Sequence, residues 1–166
     1  MLSLAIVTIS DRVSRGERED KSGLIIKDIF SRTTAKLVCH DVIPDEKEVI
    51  IQHLKKLADQ MRVGIVMTTG GTGFSVRDIT PEATRAVIER EVPGFGEVMR
   101  VEGYRKTPLA LLSRGIAGLR GQTLIINLPG SSKGVRESLE IILPVLEHGL
   151  GILKGKDLHD DYKQQI

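Results

Sequence analysis

Short runs of β-branched and aliphatic residues alternate along this chain with segments whose apolar side chains recur at helical spacing. Residues 4–9 predict a buried strand, and residues 35–43 and 63–68 predict the next two. Helical segments separate these runs, so the order is strand, helix, strand, helix, strand. Such an order requires parallel strands joined by right-handed crossovers. We therefore expect a three-layer α/β fold with a mainly parallel sheet and helices on both faces.

The helical segments begin at recognisable N-caps. Asp20 precedes one helix, and Asp45 starts a capping box in front of the next. Thr80 at the cap and Pro81 at the first helical position open a third helix. The apolar stripes of the first two helices consist of Ile25, Ile26, Ile29 and Phe30, and of Ile50, Leu54, Leu57 and Met61.

The second half of the chain predicts fewer helices. A short helix follows Pro93 and Gly94, and residues 109–128 predict strands with a turn at 119–121. The last helix is expected to bend at Pro144 and to carry one apolar stripe. We expect a single domain over residues 1–154 and a charged, frayed tail over residues 155–166. The stripe of the last helix consists of Val135, Leu139, Ile142, Leu143 and Leu146.

Composition excludes several classes of function. The 166 residues carry a formal net charge of +2, which gives no electrostatic case for nucleic acid. The apolar runs fall far short of the roughly 20 residues that a membrane helix needs. Neither a signal peptide nor a possible internal disulfide is evident, since Cys39 is the single cysteine. These features predict a cytoplasmic protein with a buried, unreactive Cys39, and the scarcity of aromatic residues argues against an aromatic cage for a ring.

Polar and glycine-rich segments follow three of the predicted strands. These segments are residues 10–12, 69–73 and 129–134, and Pro44 and Asp45 follow the second strand. Because the carboxyl ends of parallel strands meet at one edge of a sheet, we expect these segments to converge there. Ligands of such sheets bind at this edge.

Glycine-rich segments at a strand–helix junction let backbone N–H groups approach an anion closely. The segment at residues 69–73 matches neither the lysine-containing phosphate loop nor the dinucleotide fingerprint. A turn that merely needs positive φ angles is the alternative, but three glycines within four positions favour a ligand-facing loop.

Asp45 and Asp78 are the two carboxylates near these segments that we consider as ligand-facing groups. Asp45 has a second interpretation as a helix cap, and Asp78 as a solvated loop residue. If both face phosphates, Mg²⁺ between the charges is the natural resolution. No histidine shows the spacing of a metal ligand or an activating base. Basic candidates for phosphate contact are Arg12, Lys21, Arg77, Arg114 and Lys133.

Six motifs in register resemble the MogA/MoaB family of molybdopterin adenylyltransferases, to which gephyrin's G domain is related. The similarity runs from about residue 3 to residue 154. The motifs are Ile-Ser-Asp-Arg at 9–12, Ile-Pro-Asp-Glu at 43–46, Thr-Thr-Gly-Gly-Thr-Gly at 68–73, Arg-Asp-Ile-Thr-Pro-Glu-Ala at 77–83, Pro-Gly-Phe-Gly-Glu at 93–97 and Asn-Leu-Pro-Gly-Ser at 127–131.

The resemblance implies a function. Members of the family transfer adenylate from MgATP to molybdopterin and release pyrophosphate, are usually homotrimers and sometimes hexamers, and pass their product to a molybdate-inserting enzyme. Their two critical aspartates fall on Asp45 and Asp78, which the resemblance implies to be catalytic residues and Mg²⁺ ligands. The substrate- and nucleotide-binding positions that it implies are Ser10, Asp11, Thr69, Gly70, Gly71, Thr72, Gly73, Pro129, Gly130 and Ser131.

Three alternatives remain open from the sequence. One is a MoaB-type paralogue that keeps the fold without catalysis, against which the presence of Asp45 and Asp78 argues. Another is a gephyrin-like scaffold, which would not depend on these aspartates. The third is a nucleotide-binding enzyme that acts on another substrate, and pterin binding separates it from the family's reaction.

Overall fold

The structure, a computed structural model, describes residues 2–153. The alternating segments of the sequence form four parallel strands and three of the helices. Two shorter strands complete the sheet. The strands are β1 (Ser3–Ile9), β2 (Lys36–Ile43), β3 (Ile65–Thr69), β4 (Arg90–Glu91), β5 (Ala117–Arg120) and β6 (Thr123–Leu128). The α-helices are α1 (Asp11–Ser14), α2 (Lys21–Phe30), α3 (Lys47–Lys55), α4 (Thr80–Arg85), α5 (Pro93–Lys106) and α6 (Ser132–Leu153).

The six strands form one sheet in the order β2-β1-β3-β6-β5-β4. β1, β2, β3 and β6 are parallel, and β5 runs antiparallel to both of its neighbours. The sheet grows from β1 to β2 on one side and then from β1 to β3 on the other. This reversal creates a switch point at the carboxyl ends of β1 and β3, where α/β sheets bind ligands.

Both faces of the sheet are buried, which explains why the strands read as continuous apolar runs rather than alternating ones. Leu4, Ile6 and Met67 face a core that also contains residues of α2 and α6. Their neighbours Ala5 and Val66 face the opposite core, which contains residues of α3 and α4. The predicted three-layer α/β fold with a mainly parallel sheet is therefore confirmed.

Several boundaries differ from the prediction. The cap of α3 is Glu46, which makes no side-chain capping bond, so the predicted cap at Asp45 is wrong. Thr80 lies inside α4 behind the cap residue Ile79. A π-helical turn over Lys56–Gln60 follows α3, and Met61 after it is 40 % exposed instead of completing the stripe.

The connection before β5 also differs. Residues 108–112 form a 3₁₀ helix rather than a strand, and α5 extends over 14 residues where a short helix was expected. Pro144 lies inside α6, which continues to Leu153. The predicted charged tail at residues 155–166 lies outside the described residues. No helix within residues 2–153 is long and apolar enough to cross a membrane.

Cys39 is half-buried rather than fully buried. Burial, together with a hydrogen bond to Asp41, raises the pKa of its thiol to about 11. Since the thiolate is the reactive form, this environment agrees with the expected unreactive side chain.

Candidate active site

The polar segments that follow β1, β2, β3 and β6 lie at one edge of the sheet. The strand register places Ile9 beside Ile43, Thr8 beside Thr69, and Thr69 beside Leu128. The residues that follow these positions therefore meet at the switch point. The structure brings together all the segments that the sequence predicts to converge there.

The segment that follows β3, residues 70–73, is a tightly packed glycine loop. Gly70 and Gly71 have φ angles of 98° and 63°, which favour glycine. A Cβ on Gly70 would lie 2.2 Å from the carbonyl oxygen of Ile9, and one on Gly71 would lie 2.3 Å from Thr80 Oγ1. Thr80 anchors the loop, because its Oγ1 donates to Gly70 O at 2.9 Å and its N–H to Gly71 O at 3.0 Å.

Asp45 and Asp11 are joined by reciprocal hydrogen bonds. The N–H of Asp11 donates to Asp45 Oδ2 at 2.8 Å, and the N–H of Asp45 donates to Asp11 Oδ1 at 3.1 Å. This pairing directs the Asp45 carboxylate into the site instead of onto α3. In this position, Asp45 Oδ1 would lie 3.0 Å from a Cβ on Gly71. Asp45 is only 9 % exposed. Burial, with the nearby charges of Asp11 and Asp78, raises the pKa of Asp45.

Arg77 forms a forked ion pair with Asp11. Its Nε donates to Asp11 Oδ2 at 3.0 Å, and one terminal nitrogen donates to both carboxylate oxygens at 3.0 Å and 2.8 Å. Partial burial acts to raise the pKa of Asp11, but the bonds from Arg77 and from the N–H of Asp45 outweigh it, and the pKa is lowered. Arg77 therefore balances one of three neighbouring carboxylates.

Asp78 lies half-buried at the end of a loop that its own side chain closes. Asp78 Oδ2 accepts the N–H of Ser75 at 3.0 Å, and the N–H of Asp78 donates to Ser75 O at 2.9 Å. A Cβ on Gly73 would lie 2.8 Å from Asp78 Oδ2, so a larger residue at Gly73 would displace the carboxylate. Asp78 is therefore held beside the glycine loop rather than solvated on a free one.

Arg114 holds the loop between Gly73 and Asp78 in place. Its Nε donates to Gly73 O at 2.7 Å, and its terminal nitrogens donate to Asp78 O and to the Glu82 carboxylate. The sequence predicts Arg114 to be a direct phosphate contact, but the guanidinium is bound to the protein itself. Its partners Gly73 and Asp78 are 41 and 36 residues away along the chain, so no local sequence signal could identify this role.

Two clefts flank the turn at residues 129–131, which follows β6. A polar cleft of about 340 Å³ is lined by Ser10, Lys21 and Ser22 on one side of the turn. On the other side, a cavity of about 230 Å³ lies between α5, the 3₁₀ helix and α6, with Lys133 at its wall. The turn is anchored by Thr69 Oγ1, which donates to Pro129 O at 2.6 Å, and by Ser22 Oγ, which donates to Gly130 O at 2.8 Å. Arg12 is exposed and lines neither cleft.

Asp20, which the sequence predicts only as a helix cap, also lines the polar cleft. The cap is confirmed, since Asp20 Oδ1 accepts the N–H of Gly23 at 2.8 Å. The other oxygen accepts the Thr8 hydroxyl at 2.7 Å and lies 2.7 Å from His40 Nε2. Asp20 and Thr8 therefore fix the start of α2 against β1 and β2 at the cleft.

Comparisons with known proteins agree with this arrangement. Residues 5–148 match the family described as "Probable molybdopterin binding domain". The chain belongs to this family.

Relatives of this molybdopterin-binding family cover most of the chain. A molybdopterin adenylyltransferase of Helicobacter pylori strain J99 is 41 % identical over 156 residues, which cover 93 % of this chain and 89 % of the relative. The Escherichia coli K12 protein of the same name is 45 % identical over 84 % of this chain and 72 % of its own. The crystal structure of the molybdopterin biosynthesis enzyme MoaB from Thermus thermophilus has a TM-score of 0.89 at 49 % identity and covers 94 % of this chain and 98 % of that one.

The carboxylates of this family member can be tested against the requirements of a magnesium ion. Mg²⁺ prefers oxygen ligands and is usually bound by one or two carboxylates together with substrate phosphates. Asp45 and Asp78 supply two carboxylates beside a loop of backbone amides, which fits that mode. Within residues 2–153, no group of three or more histidine, cysteine or acidic side chains forms a metal cage. The donor set therefore suits a Mg²⁺ ion that arrives with a phosphate ligand.

Proposed function

We propose that this chain is a molybdopterin adenylyltransferase that uses MgATP. In the reaction, an oxygen of the terminal phosphate of molybdopterin attacks the α-phosphorus of ATP. A new P–O bond forms, the bond between the α-phosphorus and the bridging oxygen of the β-phosphate breaks, and pyrophosphate leaves with the bond's electron pair. The names of the relatives at 41 % and 45 % identity support this assignment.

The observation that carries the proposal is the position of Asp45 and Asp78 against the glycine loop, beside a turn with a cleft on each side. A transfer between two substrates needs two binding regions that meet at the reacting atoms. The polar cleft with Lys21 and the cavity with Lys133 meet at residues 129–131. The cavity offers a mostly apolar wall from Gly96, Met99 and Ile141, which suits a flat ring system.

Charge neutralisation is the main requirement of a reaction between two anions. Mg²⁺, when bound, would offset the charge that develops on the transferring and leaving phosphates. Asp45 and Asp78 would hold that ion, which would offset the burial and the neighbouring carboxylates that raise the pKa of Asp45. Backbone N–H groups of the glycine loop and the two lysines would orient the phosphate oxygens.

We also propose a cytoplasmic homotrimer that passes its product to a molybdate-inserting enzyme. Oligomer formation is supported by exposed apolar side chains on α5 and on the 3₁₀ helix after it. Val101, Tyr104, Leu109 and Leu111 are between 52 % and 70 % exposed. Apolar surface of this kind is typical of an interface between chains. Sedimentation measurements would distinguish a trimer from a hexamer or a monomer.

The decisive experiment is the release of pyrophosphate from MgATP after addition of molybdopterin. We expect turnover that depends on the pterin in the wild-type protein and is lost in Asp78→Asn. Asp28→Asn is a suitable control, since Asp28 is an exposed residue of α2 that pairs only with Arg32 among the ion pairs of the described chain.

Other outcomes of this experiment would assign a different function. Tight pterin binding without turnover would contradict adenylyl transfer and would identify a non-catalytic MoaB-type or scaffold protein. Turnover of ATP without pterin binding would identify an enzyme that acts on another substrate.

A further inference from the structure

Arg114 lies between the apolar cavity and the loop that carries Asp78. Its chain neighbours Ser113 and Gly115 line the cavity, whereas its guanidinium points to the acidic loop. Arg100 of α5, which also lines the cavity, donates to Gly115 O at 2.9 Å. A continuous set of contacts therefore runs from the cavity wall through residues 113–115 to Asp78.

The contacts of Arg114 hold both ends of the loop over residues 73–78. The backbone N–H of Arg114 donates to Thr72 O at 2.8 Å, and Nε donates to Gly73 O at 2.7 Å. The terminal nitrogens reach Asp78 O and the Glu82 carboxylate on α4. A planar guanidinium can make these bonds at once because its donors are fixed in one fork.

The charge of Arg114 is already matched within the protein. Burial acts to raise the pKa of Glu82, but the hydrogen bond from Arg114 outweighs it and lowers the pKa. The guanidinium side chain is 34 % exposed and faces two carbonyl oxygens and one carboxylate. A phosphate would have to displace these partners in order to bind, so electrostatic contact with substrate is not its role.

We propose that Arg114 is a positioning residue that sets the place of Asp78 and transmits to it the occupancy of the apolar cavity. A ligand in the cavity would contact the wall at residues 113 and 115 and would thereby restrain the arginine between them. The arginine then fixes the two carbonyl groups that define the loop. This inference rests on the proposed function for its kinetic consequence, but not for the contact itself.

The first test compares Arg114→Ala and Arg114→Lys with the wild-type protein in steady-state pyrophosphate release. We expect kcat to fall about 100-fold, as for a catalytic group displaced by about 1 Å, while KM for ATP changes less than about threefold in both variants. Added guanidinium should restore part of the kcat of Arg114→Ala, since it can refill the fork. A rise in KM with kcat preserved would overturn the proposal in favour of direct phosphate contact.

A matched control is available at Arg120 on β5. It also forms a forked pair with a carboxylate, Asp59, and donates to a carbonyl oxygen, that of Val87, at 2.9 Å. It lies at the opposite end of the sheet. Arg120→Ala should lower the melting temperature without a change in kcat, which separates loss of a structural arginine from loss of positioning. An equal loss of kcat in both variants would overturn the proposal.

A second readout does not require activity. Amide hydrogen exchange over residues 73–79 should become faster in Arg114→Ala and Arg114→Lys and should slow again when guanidinium is added to the alanine variant. Unchanged exchange would overturn the proposal. Faster exchange in a protein whose wild type shows no pyrophosphate release would contradict the proposed function and leave the role of Arg114 in holding the loop intact. If Arg114→Ala does not fold, Arg114→Lys and Glu82→Gln give the same comparison.

Discussion

Charged side chains are paired differently at the two ends of the sheet. At the carboxyl end, Asp11, Asp45 and Asp78 lie together, and Arg77 pairs with only one of them. At the other end, Arg120 lies within reach of Asp59 and Glu89. Burial and the like charges raise the pKa of Asp45, whereas the hydrogen bond from Arg120 lowers the pKa of Asp59.

This difference distinguishes a candidate ligand-binding site from ion pairs that stabilise the fold. Charges that stabilise the fold are paired within the chain, as at Arg120. Charges that serve a ligand are left incompletely balanced, and the fold bears the cost until the ligand is bound. We therefore expect a cationic or metal-bearing ligand to stabilise the protein at the carboxyl end of the sheet.

The largest expected effect concerns activity. Asp45→Asn should lower kcat for pyrophosphate release by about 100- to 1,000-fold, the usual cost of removing one group that stabilises transition-state charge. Asp59→Asn should leave kcat at the wild-type value. Steady-state assays of the two variants side by side measure the contrast, and comparable losses in both would show that the ends are not functionally distinct.

The second effect concerns two glycines with positive φ. Gly121, in the turn between β5 and β6, has a φ of 53° and nothing within 4 Å of an added Cβ, whereas the Cβ of Gly71→Ala would meet Thr80. We expect Gly121→Ala to cost about 1 kcal/mol of unfolding free energy and Gly71→Ala about 3 kcal/mol or more. Urea denaturation measures both. Equal costs would mean that the glycine loop can relax around the extra carbon.

The third effect is a difference of sign in stability at neutral pH. Asp45→Asn should raise the melting temperature by a few degrees, because it removes a charge that the folded state disfavours while Asn still accepts the N–H of Asp11. Asp59→Asn should lower it slightly, because an exposed ion pair contributes little. Thermal unfolding monitored by circular dichroism would show the two shifts, and a fall in melting temperature for Asp45→Asn would contradict this reasoning.

The smallest expected effect is the pH dependence of the difference in melting temperature between each of these variants and the wild-type protein. The folded-state pKa of Asp45 is raised above its ordinary value of 3.8, so the cost of its charge is lost as the pH falls through the raised pKa. The gap between wild type and Asp45→Asn should therefore close on acidification. The stabilisation from Asp59 persists to lower pH, because the pKa of Asp59 lies below 3.8. Melting curves between neutral and acidic pH would reveal which gap closes first.

The fold and the convergence of the candidate site's segments followed from local patterns. β-branched runs predicted the parallel strands, and the glycine and acidic segments after them predicted where a ligand would bind. These patterns are visible in sequence because strand burial and loop geometry act over a few residues. Gly70 and Gly71 are examples, since glycine adopts a positive φ without a steric cost.

The errors came from side chains whose partners lie far away in sequence. Asp45 has the position of a helix cap, yet it binds the N–H of Asp11, 34 residues earlier. Arg114 carries the positive charge expected of a phosphate-binding residue, yet its partners are protein carbonyls and Glu82. Met61 matched the stripe of α3 until a π-helical turn shifted the helical phase. The tertiary structure determines whether such a side chain contacts a local or a distant partner.

The hydrogen bonds that assemble the site span long stretches of chain. Asp11 is 34 residues from Asp45 and 66 from Arg77, and Ser22 is 108 from Gly130. Closing such loops has an entropic cost that only a nearly complete sheet repays. We therefore expect helical structure to form before the site during refolding, and recovery of ligand binding to report the docking of β6 beside β3.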